Sequence, residues 1–511
     1  MNLTLEQIQD FKGKYPRQIW SLFFSEMWER FCFYGMRGML VVFMISQLQF
    51  IEKDAKLQYA ATQAFVYAFT FVGGFFADRL LGFRKSLFWG GFLMIIGSLI
   101  LATDAFSFAP GISKFNFFFG LSFTIIGTGF FKPNISTMVG KLYKSGDNRT
   151  DAGFSLFYAG INLGALIGGY LCVAIGQGTM FSHLIPLHYR WNVAFGLAAL
   201  VMVISLINFA FTQKSLGPIG FYPGHPLSDN PDKQVKKWQE YLVYLGSILI
   251  IPLIMIMVSK TQYTDYFMYT IGPLTLIYLF YEMSKVTRVE RQKLWAALVF
   301  IIFSILFWGI YEQSGGSLSV FADNNLNRDL LGLNANGVNN SGGSFFILLL
   351  AIPIGLLWIW LSKRKAEPNT IIKFGLGFLF LGLGYYAIFA TRFFANAAGV
   401  TSLSIFTISL FIITIGEMCL SPIGLSIMTK LSTRNLQGMM MGMWFLASAY
   451  GQYVAGILGA HLTEPKVGAS NLEVLMTYTN GYKDLGLYAV IAGVVLILIS
   501  PLVKKLMHGV K

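Results

Sequence analysis

The sequence predicts an all-α polytopic membrane protein, two six-helix bundles with a two-helix insertion between them, and three observations carry that reading. The chain of 511 residues is 55% hydrophobic and only 12% charged, whereas a soluble protein carries about twice that charge. Apolar runs of roughly 20 residues recur from end to end, each long enough to cross a ~30 Å hydrocarbon core as a helix. Lipid admits helices or closed barrels as spanning structures, and the alternating ten-residue strands of a barrel are absent.

Taken in order, the runs place helices over 18–48, 57–80, 84–103, 115–140, 153–176, 191–212, 238–258, 266–283, 293–321, 342–362, 371–391, 401–430, 435–460 and 484–506. A polar, Pro-rich stretch at 213–237 reads as a linker, and an Asn/Gly-rich stretch at 323–343 as an outer loop. The expected domains are therefore an N-terminal bundle over 1–215, a linker with the two-helix insertion over 216–290, and a C-terminal bundle over 291–511. Two six-helix halves suit a carrier that alternates access to a site near the bilayer midplane.

The net charge of +14 does not call for a nucleic acid, because the charges sit in the loops. With the N-terminus inside, the cytoplasmic segments hold 25 Lys and Arg and the outer loops hold 9. That bias places both termini in the cytoplasm. The first apolar stretch begins near Ile19 and contains Glu26, Glu29, Arg30 and Arg37, an interior no signal peptide has. Cys32, Cys172 and Cys419 lie in apolar segments without metal-ligand spacing and read as small packing residues.

A charge at bilayer depth costs about 2.5–3.5 kcal/mol on insertion scales, so each one needs a reason. Seven residues qualify: Glu26, Glu29, Glu312 and Glu417 against Arg30, Arg37 and Lys132. The acids exceed the bases by one, so uptake of one proton would neutralise the set. At about 100° per residue, Glu26, Glu29, Arg30 and Arg37 share one face of the first helix. Such a face lines a watery cavity or pairs with other charges, not with lipid. Lys132 lies in GTGFFKPNIS, where Pro133 and Asn134 are expected to interrupt the fourth helix. A buried lysine there calls for a carboxylate or an anionic ligand. Glu417, beside Pro422 in the tenth helix of the two bundles, is its natural opposite number, and a proline-weakened helix can bend as a gate.

The segment GGFFADRLLGFRK at 73–85 lets Gly73 and Gly74 bring helices close and sets Asp78 among Arg79, Arg84 and Lys85. It resembles the loop signature of the major facilitator superfamily. Beyond it, the chain carries Glu26-Met27-Trp28-Glu29-Arg30 as ExxER and Phe157 to Gly164 as FYxxINxG. FKPNIS, FWGIYEQ at 307–313, and GEMCLSPIGLS with Trp444 twenty-seven residues after Glu417 follow in order. On these residues the chain resembles the proton-dependent oligopeptide transporters, a branch of that superfamily, in their bacterial, fourteen-helix form.

The resemblance implies a proton-coupled symporter that imports di- and tripeptides through the cell membrane, with protons as coupling ion, no other cofactor, and a single chain as the working unit. It implies that Arg37 and Lys132 hold the peptide carboxylate and Glu417 the amino group, while Tyr34, Tyr67, Asn162, Trp308 and Trp444 shape the pocket. Glu26, Glu29, Arg30 and Glu312 would couple the proton, with Lys132–Glu417 and Arg37–Glu312 as gates. The chemistry agrees: guanidinium grips carboxylate bidentately, and a buried glutamate suits an ammonium.

There are departures. Phe33-Tyr34 lacks one hydroxyl often seen at the paired aromatics. The mammalian members carry a histidine on an early helix, but His183, His188, His225, His461 and His508 fall in loops or near helix ends, so proton transfer rests on carboxylates. An enzyme has no support from HExxH, GxSxG, a phosphate loop or a Cys/His cluster, and a channel lacks a repeated filter segment. A nitrate, antibiotic or glucosinolate carrier is the serious alternative within the family. Retention of both cations and of Glu417 favours peptides, since a simple anion needs no ammonium site.

Overall fold

A computed structural model describes residues 3–103, 110–144, 146–228, 231–232, 235–420, 424–432, 436–466 and 468–510. The described residues are predominantly helical and form no strand beyond the isolated bridge of Leu326 with Thr401. Before the linker come α1 (Leu5–Gln9), α2 (Ile19–Ser46), α3 (Glu52–Phe76), α4 (Gly82–Thr103), α5 (Pro110–Lys141), α6 (Thr150–Gly176) and α7 (Arg190–Thr212). The insertion holds α8 (Lys237–Leu249), α9 (Ile251–Ser259) and α10 (Thr261–Lys285). After it come α11 (Arg288–Tyr311), α12 (Ser317–Asn325), α13 (Ala335–Lys363), α14 (Thr370–Ala390), α15 (Leu403–Leu420), α16 (Gly424–Leu431), α17 (Gln437–Leu462) and α18 (Asn471–Leu506). Ten stretches among the described residues are long and apolar enough to span a bilayer, one of them containing both α3 and α4.

All fourteen expected helices appear, with boundaries moved where local chemistry dictates. The seventh divides into α8 and α9 at Ile250, because Pro252 has no N–H for the carbonyl of Ile248. The ninth ends at Tyr311, where Glu312 leaves helical geometry at ψ 45°, and α12 starts only after Gly315-Gly316. The last starts at Asn471 instead of 484, because Ser470 and Glu473 form a reciprocal capping box. The twelfth is seen as α15 and α16, and the expected hinge at Pro422 lies outside the described residues.

The chain forms two compact units, one of residues 1–43 and 65–259 and the other of 44–64 and 260–511. In the first unit, α5 runs unbroken through Pro133, so the expected interruption of that helix does not occur. Asn134 instead donates its Nδ2–H to the Phe130 carbonyl at 2.6 Å. Pro133 does deprive the Gly129 carbonyl of its i+4 partner, and that oxygen lies against α3. A Cβ on Gly73 would stand 2.1 Å from it, whereas one on Gly74 would meet Pro133 at an ordinary 3.6 Å. Of these two glycines, only Gly73 is therefore required for the approach.

The stretch expected as a linker is held by side chains of α4. Arg84 donates from Nε to the Ile219 carbonyl at 2.8 Å and from Nη2 to Gly217 at 2.5 Å, and it stacks on Phe221. Lys85 pairs with Glu240 at 2.6 Å. Of the three cations grouped with Asp78, Arg84 and Lys85 thus have these partners of their own. Cys32, Cys172 and Cys419 are all buried free thiols.

The second unit is built on α14 packed with α15 and α18, and on α11 packed with α17. Residues 44–64 are fastened to it by an ion the sequence reading assigned to a loop. Because α3 begins at Glu52 and not at 57, Lys56 lies within a helix and is 2% exposed. Its ammonium reaches Glu52 at 2.5 Å, the Thr463 hydroxyl at 2.8 Å and the Thr463 carbonyl at 3.0 Å. Tyr478 donates its hydroxyl to the same Glu52 carboxylate and lays its ring 4.7 Å from the ammonium. Three oxygen partners and an aromatic face compensate for the desolvation of one buried cation.

Candidate functional site: two half-sites of opposite charge

In the first unit, one turn of α2 brings Glu26, Glu29 and Arg30 together. Arg30 Nε lies 2.9 Å from Glu26 Oε1 and 2.5 Å from Glu29 Oε2, with all three side chains no more than 2% exposed. The Phe33 ring lies 5.6 Å from the same guanidinium. Two carboxylates thus share one cation. Glu26 Oε2 and Glu29 Oε1 have no hydrogen-bond partner among the described residues, and a buried carboxylate oxygen left unbonded is costly while ionised.

The seat for this cluster is α6, and the glycine that ends FYxxINxG explains why. A Cβ on Gly164 would fall 2.1 Å from the Met27 carbonyl oxygen and 3.0 Å from Arg30 Cβ. The clash is with backbone, so no rotamer change relieves it. Gly164→Val is therefore expected to cost about 1–3 kcal/mol or more of stability, as overpacking does, and to lower transport by displacing Arg30 from its carboxylates. Gly140→Ala is the control, since its Cβ meets only the Phe154 ring at 3.5 Å. Thermal midpoint and uptake measured on both variants check this. Equal behaviour of the two would refute a positioning role for Gly164.

The other cations of this unit lie on tyrosine faces. Arg37, buried, sits 5.6 Å from the Tyr34 ring, and Lys132, half-buried, sits 4.1 Å from the Tyr67 ring. The second contact follows from the Gly73–Gly129 approach, which draws the turn carrying Tyr67 against the turn carrying Lys132. Cation–π contact supports each cation on one side. Asn162 is 4% exposed and donates to the Tyr158 carbonyl of its own helix at 2.9 Å.

In the second unit, Glu417 on α15 is 8% exposed and accepts the Tyr311 hydroxyl at 2.5 Å. Tyr311 stands edge-on to Trp308 at 5.3 Å, so the hydroxyl that α11 delivers to this carboxylate comes from an aromatic pair. Tyr311 was missed as a site residue by the sequence reading. The signal was its place in FWGIYEQ, one turn after Trp308. Trp444, 9% exposed, occupies α17, which also packs on α11 where Gly451 meets Trp308.

Glu312 is 6% exposed and caps α11, its N–H donating to the Trp308 carbonyl at 2.9 Å. Together with Lys56, Gln313 and Gln452 it lines a polar cavity of about 10 Å³, close to the space one water molecule occupies. Gln313 is held by the Ala455 carbonyl at 2.9 Å and by Ser317 at 2.7 Å. Among the described residues no group of His, Cys, Asp and Glu is arranged to hold a metal.

A chain of long apolar helices that carries buried ionisable side chains has the build of a membrane carrier. Known proteins agree. The POT family profile matches residues 84–475. Dipeptide and tripeptide permease B of Aeromonas hydrophila is 29% identical, with 97% of this chain and 94% of the permease covered. Peptide transporter YePEPT of Yersinia enterocolitica is 32% identical over 97% of this chain and 96% of its own length. The crystal structure of a peptide transporter POT in complex with sulfate superimposes with a TM-score of 0.79 at 31% identity, covering 99% of this chain and all of that one. The chain belongs to the POT family, and it is a transporter of the major facilitator fold, not an enzyme.

Proposed function

We propose that the protein is a proton-coupled symporter that imports di- and tripeptides through the cell membrane by alternating access, with both termini cytoplasmic and one chain as the working unit. The observation that carries this reading is the division of charge. The first unit offers two cations, Arg37 and Lys132, on tyrosine faces, and the second offers a buried carboxylate, Glu417, held by Tyr311. A free peptide is the zwitterion that complements them, with its carboxylate on Arg37 and Lys132 and its ammonium on Glu417. Tyr34, Tyr67, Asn162, Trp308 and Trp444 contact the backbone and read side chains loosely. The names of relatives, dipeptide and tripeptide permease among them, point the same way.

Fixed charge poles restrict length, because each further residue adds ~3.5 Å to an extended chain. Competition of unlabelled di-, tri- and tetrapeptides against a labelled dipeptide in proteoliposomes is expected to show strong, strong and weak displacement. N-acetylation or C-amidation of the dipeptide should each weaken it by tenfold or more, the scale of a lost charge-assisted contact. Displacement by nitrate alone, with indifference to both blocked termini, would replace this reading with that of an anion carrier.

Coupling is assigned to the carboxylates. Glu26 and Glu29 share one guanidinium, so protonating either leaves a balanced pair. Glu312, beside a water-sized polar cavity, takes up a coupling proton as well and releases Arg37 to the peptide, and Lys132 and Glu417 form the inner gate. A proton then changes the balance between two packings of the halves, the differential interaction any coupled transition needs.

A further inference from the structure

An apolar cavity within the first unit has no part in the half-sites described above. It measures about 470 Å³ and lies between α3, α5 and α8, with Phe69, Phe76, Phe130, Trp238, Leu242 and Gly246 in its wall. That volume is in the range of built ligand sites. Three lining side chains carry hydrogen-bonding groups: Gln239 and Ser247 are already engaged, and Trp238 stands at the end next to Lys237. Gln239 Oε1 accepts the Lys236 N–H at 3.1 Å to cap α8, while Ser247 accepts Trp89 Nε1–H at 2.9 Å and donates to the Tyr244 carbonyl at 2.7 Å. The occupant is therefore apolar along its length.

Its polar end is indicated by charge. Lys236 and Lys237, both exposed, directly precede Trp238, and Arg79, also exposed, directly precedes the lining residue Leu80. Glu240, the acid in the first turn of α8, is paired with Lys85 at 2.6 Å. Asp78 beside Arg79 is exposed as well, which leaves an excess of cations at this end. The membrane-spanning α8 and α9 start here, so these cations lie at the level of lipid phosphates, where basic residues attract anionic headgroups.

We propose that this cavity is a binding site for one acyl chain of an anionic phospholipid, whose phosphate is held by Lys236, Lys237 and Arg79, and that the lipid cements the first insertion helix to the N-terminal bundle. Gly246 supplies the test, because a Cβ there meets nothing within 4 Å and a larger side chain on a helix glycine fills the cavity without opposing the fold. Native mass spectrometry of the full chain, titrated with phosphatidylglycerol or phosphatidylcholine of identical acyl chains, is expected to show at least fivefold preferential retention of phosphatidylglycerol. Gly246→Phe should abolish that preference, and Lys236→Gln with Lys237→Gln should reduce it to the phosphatidylcholine level. Phosphatidylglycerol brominated on its acyl chain should quench a component of fluorescence that is missing in Trp238→Phe. Equal retention of the two lipids by the wild type would overturn the proposal. So would undiminished preference in Gly246→Phe, or quenching that Trp238→Phe leaves unchanged.

Discussion

Glu417→Gln is expected to weaken dipeptide binding by about thirtyfold or more while the thermal midpoint stays near that of the wild type. The amide has the carboxylate's shape and still accepts the Tyr311 hydroxyl that reaches Glu417 at 2.5 Å, so packing around α11 and α15 is kept. What is lost is the charge opposite the peptide ammonium. Truncating one partner of a buried charge pair costs about 2–5 kcal/mol, and the low end of that range is about thirtyfold in Kd. Tyr311→Phe removes a hydrogen bond to a charged group, worth about 1.5–3 kcal/mol, and should weaken binding about tenfold. An N-acetylated dipeptide separates charge from packing, since it has no ammonium to lose and should bind wild type and Glu417→Gln alike. If Glu417→Gln bound the free dipeptide as tightly as the wild type, the ammonium pole would have to be assigned elsewhere.

Much of this was legible in the sequence because lipid leaves few options. Apolar runs had to be helices, and the 100° spacing placed Glu26, Glu29 and Arg30 on a common face where the structure shows Arg30 bridging both acids. Composition hid other features. Lys56 looked like a loop residue because Glu52, Lys53 and Asp54 make the start of α3 polar, so the cation that ties residues 44–64 to the second unit was not counted among the buried charges. Polar residues also disguised the first thirteen residues of α18, although Ser470 and Glu473 carried a capping-box signal. Pro133 suggested a break, but the loss of one N–H was absorbed within α5, where the freed Gly129 carbonyl is apposed to Gly73. The stretch at 213–237 reads as a linker from its polar, Pro-rich composition, which does not say what anchors it. Arg84, which binds its carbonyls, holds it in place, and side-chain-to-backbone contacts of that kind leave no pattern in composition.

The second large effect concerns Glu26 and Glu29. Either one replaced by Gln keeps its shape but leaves Arg30 with a single carboxylate, which mimics the protonated cluster permanently. Such a chain no longer exchanges the proton that tips one packing of the halves against the other, so coupling should fail while the peptide poles, Arg37, Lys132 and Glu417, are untouched. Exchange of labelled for unlabelled dipeptide requires no net proton movement and is expected to stay within about threefold of wild type, whereas accumulation against a gradient falls to the level of passive leak. A network that only stabilises the bundle behaves differently. Breaking a buried pair then costs about 3–5 kcal/mol, and thermal midpoint, exchange and accumulation all decline together. The deciding measurement is made in proteoliposomes of wild type, Glu26→Gln and Glu29→Gln, scoring dipeptide exchange and dipeptide accumulation under an imposed inward proton gradient, with and without a protonophore. The account predicts protonophore-sensitive accumulation in the wild type, and exchange without accumulation in both variants. Accumulation by the wild type that ignores the protonophore, or parallel loss of both activities in the variants, would contradict it.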